Sequence, residues 1–148
     1  MDQVKVFFAL EQDEDGWPGV GAESVWAFPT DDPDECIIDN VPFYTFDATV
    51  EDTVRVTRDA DGVRWFAQVV REAERSLLRV IVMDARHGAA TRAALEALGC
   101  ATEGANEKFF ALDVPFSIDL GSIHAWLDER LAQGLLEYED AILRHPAV

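Results

Sequence analysis

Hydrophobic and polar residues alternate with period two through the first half of the chain. Beyond about residue 76 strand-like runs alternate with helical spacing. Val4, Val6 and Phe8 alternate with Lys5 and Phe7. Val25 to Phe28 forms a short aromatic strand, and Ile37 and Ile38 lead into Asn40-Val41-Pro42-Phe43-Tyr44. Thr53–Arg58 and Val63–Val70 make the clearest pair. Asp59-Ala60-Asp61-Gly62 between them is a hairpin turn whose glycine accepts positive φ. Two acidic loops, Glu11–Gly21 and Thr30–Glu35, separate the early strands. Five or six short strands with turn-rich joins predict a small barrel or curled sheet.

The second half is more regular. Leu77–Met83 reads as a buried strand. A helix is predicted over Arg86–Leu98, with Thr91, Ala94, Leu95 and Leu98 on one face and Gly99 as its stop. Strands follow near Cys100–Glu103 and Lys108–Val114, joined by Gly104-Ala105-Asn106. A second helix is expected from Leu120 to Gln133, with Asp119 as N-cap, Gly134 as stop and Leu120, Ile123, Leu127 and Leu131 as its apolar stripe. Leu135–Tyr138 is the last strand. The order is then β-α-β-β-α-β, that of a ferredoxin-like unit. The predicted class is α+β: a β-rich, barrel-like half over residues 1–75 and a ferredoxin-like half over 76–148, joined into one compact unit by the strand at Leu77–Met83.

Charge sharpens this picture. Residues 1–52 hold fourteen acids and one base, Lys5. The whole chain carries −17. Such a field repels phosphate backbones, so no nucleic-acid partner is expected, and it favours a basic protein. Solubility alone is the competing explanation. Ten Arg against two Lys also fits a salt-adapted or GC-rich source. No run of about 18 apolar residues marks a membrane span. The start Met1-Asp2-Gln3 lacks the basic opening of a signal peptide, so a cytoplasmic location is expected. Two cysteines without CxxC spacing read as reduced, packed thiols rather than a disulfide framework.

Catalytic chemistry has little to stand on. His87, His124 and His145 form no zinc signature. His124 reads as a boundary residue beside an apolar stripe, and His87 and His145 as solvent-facing. Cys36 sits among Asp34, Glu35 and Asp39, whose anions are expected to raise its pKa. Gly16-Trp17-Pro18-Gly19-Val20-Gly21 is glycine-rich but crowded by acids, which oppose a phosphate. Glu11–Gly16 resembles the first half of a calcium loop, yet position twelve falls on Ala22 where a bidentate glutamate is needed. No cofactor or metal is expected. Trp17, flanked by acids, is a candidate anchor for a basic surface, the alternative being that it folds back onto the barrel. Phe43, Tyr44 and Phe46 read as core.

Three stretches, Ala22-Glu23-Ser24-Val25-Trp26-Ala27, Ile38-Asp39-Asn40-Val41-Pro42-Phe43-Tyr44 and Asp61–Val70, resemble an uncharacterised bacterial family, domain of unknown function 4265. The Asn-x-Pro-Phe segment is its most specific mark. The resemblance implies no activity and no catalytic residues. The chain departs from it at Glu51-Asp52, where a Gly-Asp turn is expected, and at Glu72-Ala73-Glu74-Arg75-Ser76, where a Ser-Gly-His-Ser-Thr-like turn is expected.

The functional expectation is a non-enzymatic acidic binding module, of the immunity or antitoxin type, that engages a basic protein through Asp13, Asp15, Trp17, Asp31, Asp32, Asp34 and Glu35. A small-molecule-sensing regulatory domain and an enzyme with a carboxylate site assembled from distant residues are the alternatives. Oligomeric state is not fixed by the sequence.

Overall fold

A computed structural model describes residues 2–146. The protein is mixed α+β, mostly β, and the described residues form nine strands in two sheets and two α-helices. It divides into two compact units, Met1–Ala73 and Glu74–Val148.

The first unit is built from β1 (Val4–Ala9), β2 (Ala22–Pro29), β3 (Glu35–Ile38), β4 (Thr53–Arg58) and β5 (Arg64–Arg71). Successive strands pair antiparallel. β5 then pairs parallel with β1 at Val6–Arg64 and Phe7–Trp65, so the hydrogen-bonded ring closes on itself. Period-two alternation supplies the interior: Val6, Phe8, Val25, Ala27, Cys36, Ile38, Val54 and Val56 pack into one cluster. Each large member contributes roughly 1.5–3 kcal/mol by leaving water. Two register shifts between β4 and β5 add the local bend a small ring needs. At the predicted hairpin, Asp59 Oδ1 accepts from the Asp61 and Val63 amides and Gly62 takes φ +79°.

No strand forms over residues 39–52. Pro42 has no amide to donate to a ladder. The backbone here bonds to side chains instead, as described below.

The second unit contains β6 (Arg75–Val82), a single 3-10 turn (Ala85–His87), α1 (Gly88–Ala97), β7 (Ala101–Gly104), β8 (Phe109–Pro115), α2 (Leu120–Ala132) and β9 (Leu136–Ile142). The sheet order is β7-β8-β6-β9, antiparallel throughout. Leu78, Val80 and Val82 of β6 and Phe110, Leu112 and Val114 of β8 form one cluster with Leu95, Ile123 and Leu127 of the helices. Asp119 caps α2 through the Ser122 amide, while Gly99 (φ +106°) and Gly134 (φ +72°) end the helices.

Several expectations are corrected. The segment read as the first helix opens as a 3-10 turn capped by Asp84, and α1 starts at Gly88. Leu98 and Leu131, assigned to apolar stripes, are exposed: Leu98 is the C-cap residue that follows α1, and Leu131 lies in the last turn of α2. The final strand extends to Ile142 because Tyr138 continues the alternation begun by Leu136, although the acids Glu137, Glu139 and Asp140 mask it. These charges suit an edge strand. His145 is not solvent-facing. Its Nδ1 lies 2.7 Å from the buried Ser76 Oγ, and its Nε2 lies within 3.1 Å of the Pro115 and Ile118 carbonyls. Ser76 in turn accepts from the Arg144 amide, so the segment just after β9 is fastened to the start of β6.

Candidate functional site

The loop between β1 and β2 folds on itself. Leu10 N–H donates to Gly21 O, and Asp13 N–H to Trp17 O. Asp13 Oδ1 accepts from the amides of Asp15 and Trp17, both at 2.9 Å. The carboxylate that resembled a calcium ligand therefore shapes the turn. Among the described residues no three His, Cys, Asp or Glu side chains gather as ion ligands.

Glu11, Asp13, Glu14 and Asp15 are all exposed on this loop. Trp17 is 52% exposed and meets the Tyr44 ring edge-on, centroids 5.6 Å apart. Tyr44 is held from behind. One Glu23 carboxylate, from the start of β2, accepts from the amides of Phe43 (2.6 Å), Tyr44 (3.1 Å) and Thr45 (3.0 Å). Asn40 Oδ1 accepts from the Trp26 amide at 2.7 Å and anchors the same segment one step earlier. Phe46, expected in the core, is 59% exposed, while Phe43 and Tyr44 are half-buried. The segment bonds its backbone inward through Glu23, which leaves Phe46 on the outside.

The second acidic loop has a different character. Asp32 Oδ1 accepts from the Asp34 amide. Arg55 of β4 reaches Glu35 at 2.8 Å and Asp32 at 3.5 Å, and Arg58 donates to the Pro33 carbonyl. The Asp34 amide first, then Glu35 and Arg55, hold the Asp32 carboxyl below its ordinary range. Asp31 and Asp34 remain exposed. The two loops flank β2, whose eight residues span roughly 25 Å at ~3.3 Å per residue. The structure thus brings Asp13, Asp15 and Trp17 together and places Asp31, Asp32, Asp34 and Glu35 at the opposite end of the strand.

His124 and Tyr138 are engaged with one another and with carboxylates. His124 Nε2 lies 2.8 Å from Asp140, and its ring stacks on Tyr138. Tyr138 donates its hydroxyl to Asp128 at 2.6 Å. Burial, then Asp128, pushes the Tyr138 hydroxyl up to about 12. Both cysteines are free and buried. Cys36 is raised as expected but for another reason. Burial is the cause, and the charges acting on it are the cations of Arg64 and Arg58, which oppose the shift. Burial, then Asp113, pushes Cys100 up to about 11.

Native protein at pH 8 is therefore expected to resist an aromatic disulfide reagent at both thiols, with both reacting once urea unfolds it. The raised Cys100 thiol also sets a sign. Its contribution to stability is complete below the ordinary thiol value of 9.0 and is lost as pH rises through about 11. Fast native labelling, or stability unchanged across that range, would contradict the buried placement.

Glu23, Trp26 and Asn40, which tie the strand-free segment to β2, all fall within the stretches that carry the family resemblance. Residues 23–138 match the family described as Domain of unknown function (DUF4265). The chain belongs to this family. None of the curated proteins matches it. A crystal structure described as that of a hypothetical protein from Neisseria gonorrhoeae is similar at 15% identity, with a TM-score of 0.81 over 99% of each chain. That likeness concerns the fold. Within this family member the motif residues Glu23 and Asn40 act as acceptors for backbone amides. The Glu51 departure carries strain: Glu51 adopts φ +67°, where glycine has the lowest cost. Ser76, in the second departure, is the residue that fastens His145.

Proposed function

We propose that this protein is a non-enzymatic binding module that engages a basic protein in the cytoplasm, in the manner of an immunity or antitoxin-type neutraliser. One observation carries the reading. Trp17 stands half-exposed against Tyr44 on a loop whose four carboxylates all face solvent. A ring that fills a pocket, rimmed by acids that pair with cations, is the arrangement of an interface anchor. The face is narrower than the sequence suggested, consisting of Asp13, Asp15 and Trp17 with Glu11, Glu14 and Tyr44. The closed order of β1–β5 supports describing the first unit as barrel-like. The β-α-β-β-α-β succession with sheet order β7-β8-β6-β9 supports a ferredoxin-like second unit.

The test captures the partner from native lysate at low salt and measures association with the purified partner. Asp13 must be changed to Asn, which keeps an acceptor for the turn, while Glu14 and Asp15 are changed to Lys. Association is expected to slow at least tenfold and to lose most of its salt dependence. Trp17→Ala is expected to weaken binding by about 2 kcal/mol, mainly through faster dissociation. Reversal of Asp31 and Asp34 at the other end of β2 serves as the control. Equal effects from both ends would reduce the acidity to a general field, and no effect from either would remove the proposal.

A further inference from the structure

The outward face of the first unit carries a second apolar feature. Alternation puts Val25 and Ala27 inside the ring and leaves Trp26 (44% exposed) and Phe28 (41%) outside. Ile37 (36%) stands directly across from Phe28 on β3. On the other side Lys5 of β1 is the cross-strand partner of Trp26, and Phe7, two residues on, meets Trp65 of β5 with ring centroids 5.6 Å apart. Ile37, Phe28, Trp26, Phe7 and Trp65 thus form a stripe across four neighbouring strands. Scattered apolar residues on a surface are ordinary, whereas a row of them on neighbouring strands marks an interaction site.

Charge identifies the occupant. Residues 1–73 hold seventeen acids against five bases. Asp39 and Asp59 are exposed beside the stripe, with Asp59 accepting from the Trp65 indole N–H. Two cations of this unit are engaged elsewhere: Arg55 with Glu35 and Asp32, and Arg58 with Pro33 O. Lys5 lies over the Trp26 ring at 5.0 Å, so this ring already draws a cation to its face. A second copy of the chain would bring −17 against −17, and phosphate-bearing surfaces meet the same repulsion.

We propose that this stripe is a docking surface for a cationic protein segment, with arginines stacking on Trp26 and Phe28 and apolar residues lying along Phe28, Ile37 and Phe7. It shares with the proposed function a basic partner but none of the residues at Trp17, so the two can fail separately.

The probe is a synthetic peptide alternating Arg and Leu, compared with length-matched Arg-Ser and Glu-Leu peptides, followed by amide shifts of labelled protein at low salt. The Arg-Leu peptide is expected to move amides of residues 5–7, 24–28 and 36–38, and to bind at least tenfold tighter than either control. W26S/F28S is expected to weaken it at least tenfold, and Trp17→Ala by less than twofold. Both changed residues face outward, and unchanged melting of W26S/F28S confirms that the fold is intact. A single Lys5→Ala change, which frees the Trp26 face, is expected to strengthen binding and guards against a folding artefact. Equal binding of Arg-Ser and Arg-Leu, full binding to a folded W26S/F28S, or concentration-dependent self-association through the stripe would each overturn the inference. Shifts confined to residues 11–17 and 43–47 would overturn it and leave the Trp17 face standing. No binding by any cationic peptide would count against both.

Discussion

Gly88→Ala is expected to destabilise the second unit by ~3 kcal/mol, near the upper end of what overpacking costs. A β-carbon built on Gly88 falls well inside van der Waals distance of the carbonyl oxygen of Glu107, with the carbon of the same carbonyl next at 3.3 Å and Val82 Cγ2 at 3.8 Å. The obstacle is backbone, so no rotamer change relieves it. Nor can the carbonyl retreat easily. Asn106 Oδ1 accepts from the Lys108 and Phe109 amides, and Lys108 O accepts from Val82 N–H, which pins the turn to β6. Gly121 in α2 is the internal control. Its added β-carbon meets only Asp119, at 3.6 Å, so Gly121→Ala is expected to stabilise by about 0.5–1 kcal/mol through helix propensity. Trp126 is the sole tryptophan of residues 74–148. Its fluorine-labelled resonance during urea unfolding reports on this unit. Equal stability of the two variants would mean that α1 does not approach the 105–108 turn as described.

The same contrast shows what a sequence makes legible. Gly99, Gly134 and Asp119 declare helix ends because each acts on backbone within three or four residues of itself. The β4–β5 hairpin is legible for the same reason. Its turn is closed by Asp59 and Gly62, four residues in all. Gly88 is indistinguishable in sequence from any glycine opening a helix. Its constraint comes from residue 107, and such contacts leave no local pattern.

The residues of the proposed surfaces divide along that line. The exposed acids of residues 11–15 and Trp17 were legible because they sit in a loop too polar to bury. The opposed placement of the two acidic loops was also within reach, since loops entering and leaving one strand lie at its two ends. Arg55 was not legible as the cation of the second loop. It becomes so only when the register sets it across from Glu35. Glu23 was hidden for the opposite reason. A carboxylate at the start of an exposed strand reads as a solvent charge, and its three amide partners lie twenty or more residues away. Trp26, Phe28 and Ile37 read as strand residues, but whether an aromatic faces in or out depends on a one-residue choice of register.

Asp52→Ala is expected to be the costliest change in the first unit, at roughly 3 kcal/mol. Asp52 is fully buried. Its Oδ2 accepts from the Thr49 amide at 2.9 Å and its Oδ1 from the Ala73 amide at 2.8 Å. Its own backbone bonds Thr49 O and receives Ile38 N–H. One side chain therefore ties the end of the strand-free segment to the residues just after β5. Alanine removes a charged acceptor from two amides, and that of the fully buried Thr49 cannot turn to water. Asp52→Asn keeps one carbonyl oxygen and sets an NH2 group against the other amide, so about half of the loss is expected. The consequence reaches the proposed anchor, because the segment that Asp52 closes carries Tyr44, the ring behind Trp17. Amide hydrogen exchange across residues 43–50 should accelerate in Asp52→Ala at denaturant concentrations where β1 and β2 remain protected. Partner binding should then weaken although no contact residue has changed. If exchange accelerated uniformly over the unit, Asp52 would be holding the ring as a whole. If stability and exchange stayed at wild-type values, the two amides would have other acceptors close enough to take its place.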